Sequence, residues 1–171
     1  EVVPLVDLQV AIEQEEVPEA TSEMRAVSAP DFVIVGTQRG GTTSLHAYLR
    51  AHRDIATPAK KEIHFLTDRF ERGAAWYIGQ FPASVPAGTL VGEATPYALF
   101  HPLAPQRLVD VAPEARIIVL LRNPVDRAYS HYLHERARGH ETQTFEDALA
   151  AEPQRLEGLE DRLATGELHV S

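Results

Sequence analysis

From Pro30 onward the chain alternates short continuous apolar runs with stretches whose apolar residues return once per helical turn. Phe32-Val33-Ile34-Val35, closed by Gly36, has the pattern of a strand buried on both faces of a parallel sheet. Residues 42–52 then carry Leu45, Tyr48 and Leu49 at helical spacing, so a strand, a glycine turn and a helix follow in order. Residues 74–81 read as a short helix with Trp76, Tyr77 and Phe81 facing inward. Leu90-Val91-Gly92 reads as a second strand that stops at Glu93-Ala94-Thr95-Pro96, and residues 103–111 as a helix with Leu108 and Val111 on one side. Ile117-Ile118-Val119-Leu120-Leu121 is the clearest strand. After it Asn123 is the expected N-cap and Pro124 the first residue of a helix striped by Val125, Ala128, Tyr129, Tyr132 and Leu133. Two further helical stretches start at Phe145 and at Gln154, and one more short strand is expected near Ile55.

Strands alternating with helices predict an α/β fold, a parallel sheet flanked by helices on both faces. So few strands make a small sheet with one uncovered edge, and the domain is expected to be incomplete at its C-terminus.

Composition refines this reading in three places. At 171 residues, with 44% hydrophobic and 24% charged residues, the chain has the size and make-up of one globular domain. Its net charge of −9 is concentrated in residues 1–29, where Glu1, Asp7, Glu13, Glu15, Glu16, Glu19 and Glu23 face Arg25 alone; this segment reads as an acidic leader or linker ahead of a domain at 30–171. The rest is too nearly neutral to present a global basic field, so nucleic acid is not an expected partner. The sequence contains no cysteine, which excludes disulfides and thiolate metal sites and accords with a reducing, cytoplasmic location. No apolar run approaches the ~18 residues of a membrane span, and no secretory pattern opens the sequence. Nothing in it signals an oligomeric state.

The candidate chemistry lies at two strand ends. Gly36-Thr37-Gln38-Arg39-Gly40-Gly41-Thr42-Thr43 has the spacing of a phosphate loop, with Thr42 where nucleotide hydrolases carry lysine. Glycines let consecutive N–H groups converge on one anion, the helix N-terminus adds partial positive charge, and Thr42, Thr43 and Ser44 offer hydroxyls. Without the lysine a β,γ-phosphate pair is poorly held, and the cation has moved into the loop as Arg39. A glycine turn with no ligand is the bland alternative. The second site is Arg122, at the end of the clearest strand, with Ser130 two turns into the next helix. An arginine fork and a hydroxyl make a phosphate receptor, and in open α/β sheets both strand ends open on one crevice. The alternative pairs Arg122 with Asp126. Together the two sites point to a ligand with two separate phosphates.

These stretches resemble the 5′-phosphosulfate loop and the 3′-phosphate motif of sulfotransferases that use 3′-phosphoadenosine 5′-phosphosulfate (PAPS). The segments between them are similar, in order, to the heparan sulfate N- and O-sulfotransferase branch: Lys61-Glu62-Ile63-His64-Phe65, residues 73–82 with Trp76-Tyr77, and Gly92-Glu93-Ala94-Thr95-Pro96-Tyr97. The likeness covers residues 31–156. It implies that residues 30–171 are the N-terminal, cofactor-binding part of a sulfotransferase domain with a P-loop-like sheet. The implied activity moves a sulfuryl group from PAPS to a hydroxyl or amine of a small-molecule or carbohydrate acceptor, leaving 3′,5′-bisphosphoadenosine. Carried over by position, Arg39 touches the 5′-phosphosulfate where the family usually has lysine; Gly40, Gly41, Thr42, Thr43 and Ser44 cradle it; Arg122 and Ser130 hold the 3′-phosphate; and Glu62 is the base, with His64 second.

Three positions depart from the family pattern. Arg39 can balance charge but cannot release a proton. Ala94 replaces a lysine that heparan-type members place near the acceptor, and Thr67 stands where some members have an acid, with Asp68 beside it. Sulfuryl transfer requires no metal, and the acids show no metal spacing; His131 and His134 lack a third ligand. For Glu62 the plain alternative is a solvated carboxylate paired with Lys60 or Lys61, and for His64, between Ile63 and Phe65, a packed ring. Two rival functions stand beside the sulfotransferase: a P-loop kinase or NTPase, and a non-catalytic nucleotide-binding module.

Overall fold

The computed structural model describes residues 23–165. Most of the acidic segment, residues 1–22, and the last six residues, 166–171, lie outside the described residues. In chain order the strands are β1 (Met24–Ala26), β2 (Phe32–Gly36), β3 (Ile55–Ala56), β4 (Ser84–Pro86), β5 (Leu90–Ala94) and β6 (Arg116–Val119). The helices are α1 (Thr42–Arg50), α2 (Gly73–Ile78), α3 (Ala104–Val111), α4 (Pro124–Ala137), α5 (Phe145–Leu156) and α6 (Leu159–Ala164), with 3-10 turns at Phe70–Arg72 and Pro96–Leu99.

Four strands form one parallel sheet in the order β3-β5-β2-β6. Every residue of β2 is buried, because the strand is central and covered on both faces. Val33 and Val35 join the larger core with Phe65, Tyr77 and Leu108, where the Phe65 and Tyr77 rings stack at 4.3 Å. Phe32 and Ile34 point the other way, with Ala94, onto Leu45 and Leu49 of α1. The period-two alternation of a strand therefore separates two layers of helix. Gly92 in β5 is required by this packing: a Cβ there lies 2.3 Å from the Phe32 ring.

The clearest strand of the sequence is shorter and more exposed than its pattern predicts. It ends at Val119 and lies at the sheet edge, with Ile117 59% and Val119 42% exposed on the side of α3. An apolar run records what a strand is able to bury, whereas its place in the sheet decides how much is covered. The stripe of α4 behaves alike: Val125, Tyr129 and Leu133 are exposed, and Tyr129 and Tyr132 meet Phe145 of α5 at 5.1 and 5.2 Å.

Other boundaries move for local reasons. The stretch expected to begin a helix at Gln154 is the end of α5, which runs through Pro153; α6 starts after Gly158, whose φ of 67° breaks the helical path. The helix expected over 74–81 stops at Ile78, and Phe81 reaches the core from a following turn. The boundary expected at residue 30 falls inside packed structure. Residues 24–26 pair antiparallel with β4, Val27 is buried in the core, and Arg25 pairs with Asp31 while donating to Thr89 O. Among the described residues no helix is long and apolar enough to cross a membrane.

Candidate active site

The C-terminal ends of β2 and β6 are tied together. Thr37 N donates to Leu120 O and Leu120 N donates to Gly36 O, each at 2.8 Å. In the order β3-β5-β2-β6 the connection leaving β2 runs to one side, towards β3, and the connection leaving β5 runs to the other, towards β6, so the carboxyl end of β2 is the position at which open α/β folds form a ligand crevice. Between these ends the glycine loop folds tightly, with Gly40 N donating to Thr37 O at 2.9 Å. A Cβ on Gly40 lies 2.8 Å from Leu120 O and 2.9 Å from Thr37 O, so only glycine fits between the two carbonyls. Gly41, at φ 103°, then opens α1.

A cavity of about 470 Å³ lies above this loop. Gly41, Thr42, Thr43 and Ser44 line it from the start of α1, where the first-turn N–H groups have no helical partner. Four basic side chains, Arg39, Lys61, Arg122 and Arg138, face it, and among the described residues Glu62 is the one carboxylate that lines it. The two anion sites expected from sequence are one cluster. Arg39, itself left-handed at φ 64°, donates from Nε to Ser130 Oγ at 3.2 Å, and Arg122 Nη1 donates to Arg39 O at 3.4 Å. The alternative partner Asp126 instead takes its place in the first turn of α4, its N–H donating to the N-cap side chain of Asn123. Gly40 and Ser130 are not among the lining residues: Gly40 is packed between Thr37 O and Leu120 O, and Ser130 adjoins the cavity through Arg39, from which its hydroxyl accepts.

Glu62 and His64 are brought together but face different surroundings. Glu62 lines the cavity with its side chain 37% exposed, and Lys61 pairs with its carboxylate. His64 lies behind it at 13% exposure, Nε2 3.7 Å from Glu62 Oε2 and Nδ1 3.7 Å from Asp68 Oδ2. Burial holds the imidazole below its ordinary pKa of 6.5, with Asp68 and Glu62 pulling the other way, so the ring is neutral near pH 7. The packed-ring reading of His64 describes its place. Asp68 also supplies a carboxylate beside His64 where Thr67 does not.

Three contributors have no binding or catalytic role in the sequence reading, His134 being weighed there only as a metal ligand. His134 lines the cavity from α4 and Arg138 from its C-cap, four and eight residues after Ser130 and so on the same side of the helix, a spacing the sequence does carry. The third is Glu93, buried with Tyr77 and Thr95 as its partners; nothing in its local pattern marks it as different from a strand-end acid. Among the described residues no group of three side chains is placed to hold a metal ion.

Burial pushes the Glu93 carboxyl up to about 7, against the Thr95 and Tyr77 hydrogen bonds that lower it. A carboxyl whose folded pKa lies above its unfolded value binds more protons folded than unfolded between the two. Its contribution is therefore complete below about pH 4.5 and is lost as pH rises through about 7. Glu93→Gln removes this titration. Relative to wild type, the variant's unfolding free energy is expected to gain on the order of 3 kcal/mol between about pH 4.5 and pH 8, read from paired denaturant titrations. The buried histidines His46 and His101, whose pKa values burial lowers, act oppositely below 6.5 but are common to both proteins. A flat difference curve shows that Glu93 titrates as it does in the unfolded chain.

A glycine loop between a parallel strand and a helix, with arginines from two strand ends, defines a P-loop-like α/β domain. The chain belongs to the sulfotransferase domain family, whose sequence profile matches residues 29–157. It is 38% identical over 112 residues to a membrane-associated sulfotransferase, kil1, of Dictyostelium discoideum, covering 64% of this chain and 24% of that protein. It is 39% identical over 103 residues to heparan sulfate glucosamine 3-O-sulfotransferase 6 of Mus musculus, covering 60% and 30%. It is 35% identical over 148 residues to bifunctional heparan sulfate N-deacetylase/N-sulfotransferase 1 of Xenopus laevis, covering 78% and 17%. A crystal structure of a sulfotransferase from Alicyclobacillus acidocaldarius superposes with a TM-score of 0.67 at 37% identity, covering 80% of this chain and 62% of that one. The chain thus spans less than a third of the length of these three relatives.

Proposed function

We propose that this chain transfers a sulfuryl group from PAPS to a hydroxyl or amine of a carbohydrate acceptor. One observation supports the reading: Arg39 is hydrogen-bonded both to Ser130 and, through its carbonyl, to Arg122 beside the glycine loop, so the candidate receptors for two separate phosphate groups adjoin one cavity. The donor set fits the nucleotide, with backbone N–H groups and Arg39 for the 5′-phosphosulfate and Arg122 with Ser130 for the 3′-phosphate. The acceptor class is supported by the heparan sulfate relatives and by Lys61, His134 and Arg138 on the same cavity, which suit an anionic saccharide.

When bound, PAPS supplies the sulfuryl group, whose bond to the 5′-phosphate breaks as the acceptor oxygen or nitrogen bonds to sulfur. Glu62 takes the acceptor proton. Arg39 and the loop N–H groups offset the charge left on the 5′-phosphate; Arg39 keeps its own proton, so that oxygen leaves as an anion. The remaining work is positioning, which suits a loose in-line displacement.

Calorimetric titration with 3′,5′-bisphosphoadenosine and with ATP, each with and without magnesium, tests the reading. The bisphosphate is expected to bind more tightly than ATP, with no magnesium dependence. Tight magnesium-dependent ATP binding would overturn it in favour of a kinase or NTPase. Bisphosphate binding without sulfuryl transfer to any saccharide would leave a nucleotide-binding module.

A further inference from the structure

Behind the cavity, outside its lining, lies a buried hydrogen-bonded chain that the transfer step does not use. Glu93 is 1% exposed, and each carboxylate oxygen has a hydroxyl donor: Tyr77 OH reaches Oε1 at 3.3 Å and Thr95 Oγ1 reaches Oε2 at 2.7 Å. Tyr77 and Thr95 are themselves fully buried. Thr95 has a single hydroxyl hydrogen, and giving it to Glu93 leaves only lone pairs on its other side. There the His64 N–H donates to Thr95 Oγ1 at 3.4 Å. Two residues earlier the Glu62 N–H donates to Ala94 O at 3.1 Å. The end of β5 therefore grips the segment carrying Glu62 through two consecutive residues, Ala94 and Thr95. That segment needs a grip, because Glu62 and His64 both hold left-handed backbone, at φ 62° and 59°. Side-chain-bearing residues keep such conformations only where surrounding contacts impose them.

We propose that Glu93 is a positioning residue: by orienting the Thr95 hydroxyl it holds the backbone of 62–64 in its left-handed form and so aims the Glu62 carboxylate into the cavity. The assignment rests on the sulfotransferase reading only for what Glu62 does once aimed; the hold on residues 62–64 is a property of the folded chain. It differs from plain core filling. A filler loosens the whole core when removed, whereas a positioning group loosens the segment it holds and leaves the central strand intact.

Residue-resolved amide hydrogen exchange on the full chain at about pH 8, where Glu93 is ionised, reads the hold directly. Thr95→Val keeps the shape and removes the hydroxyl, Thr95→Ser keeps the hydroxyl, and Glu93→Met removes both acceptor oxygens. In Thr95→Val and Glu93→Met the Glu62 and His64 amides are expected to exchange at least about tenfold faster, with Val33 and Ile34 of β2 unchanged. Thr95→Ser is expected to restore wild-type exchange. Equal exchange at 62 and 64 in all variants overturns the proposal. So does acceleration that includes Val33 and Ile34, or a serine variant that behaves like valine. A parallel assay of sulfuryl transfer is expected to show Thr95→Val lowering kcat about tenfold with bisphosphate affinity unchanged. If wild type neither binds the bisphosphate nor transfers sulfuryl, the functional reading fails, while the exchange result still decides the role of Glu93.

Discussion

Glu62→Gln is expected to lower turnover by a factor of about 10²–10⁴ while PAPS affinity changes little, the signature of losing a general base. Among the described residues Glu62 is the one carboxylate on a cavity that presents four basic side chains, and it is exposed enough to meet an acceptor. Glutamine keeps its shape and its contact with Lys61 but cannot take a proton. His64, the second candidate, is largely covered and is wedged between Glu62 and Asp68, so its substitution is expected to act through packing. Single-turnover transfer assays on Glu62→Gln and His64→Gln separate the two. Near-normal turnover in the first and a large loss in the second reassigns the base to His64.

Arg122→Ala is expected to weaken nucleotide binding by about 2–5 kcal/mol, the range for truncating one partner of a charge pair that binding desolvates. The side chain is exposed in the free protein, which places the effect near the lower end. A loss of ~2 kcal/mol is roughly thirtyfold in Kd. Most of the loss should disappear with adenosine 5′-phosphosulfate, which lacks the 3′-phosphate. Because Arg122 also donates to Arg39 O, a smaller residual loss through the glycine loop is expected. Equal weakening for both ligands would show that Arg122 serves the loop alone.

Local chemistry made much of this protein legible before its fold was seen. The β2–glycine–α1 order is readable because a fully buried strand, a turn that only glycine can make and a helical stripe each impose their own residue pattern over a few positions. Asn123 as N-cap was readable for the same reason: its side chain accepts from Val125 N and Asp126 N within one turn. The placement of Arg39 and Arg122 on one cavity was readable because strand ends are where such folds open.

What the sequence could not decide depends on contacts between distant segments. Arg39 and Ser130 lie 91 residues apart, and whether two anion sites form one cluster is settled only when β6 docks beside β2. The exposure of Ile117 and Val119 follows from their strand's place at the sheet edge, which an apolar run does not encode. Strand β1 was hidden because three residues of mixed character acquire strand geometry only by pairing with β4, some sixty residues on. Glu93 was the least visible. A carboxylate in a strand reads as a surface residue, and only the closing of Tyr77, Thr95 and the 62–64 segment around it turns it into a buried hydrogen-bond acceptor. Short-range patterns set which elements form and which groups offer chemistry, whereas burial, edge position and the joining of distant side chains are properties of the assembled sheet.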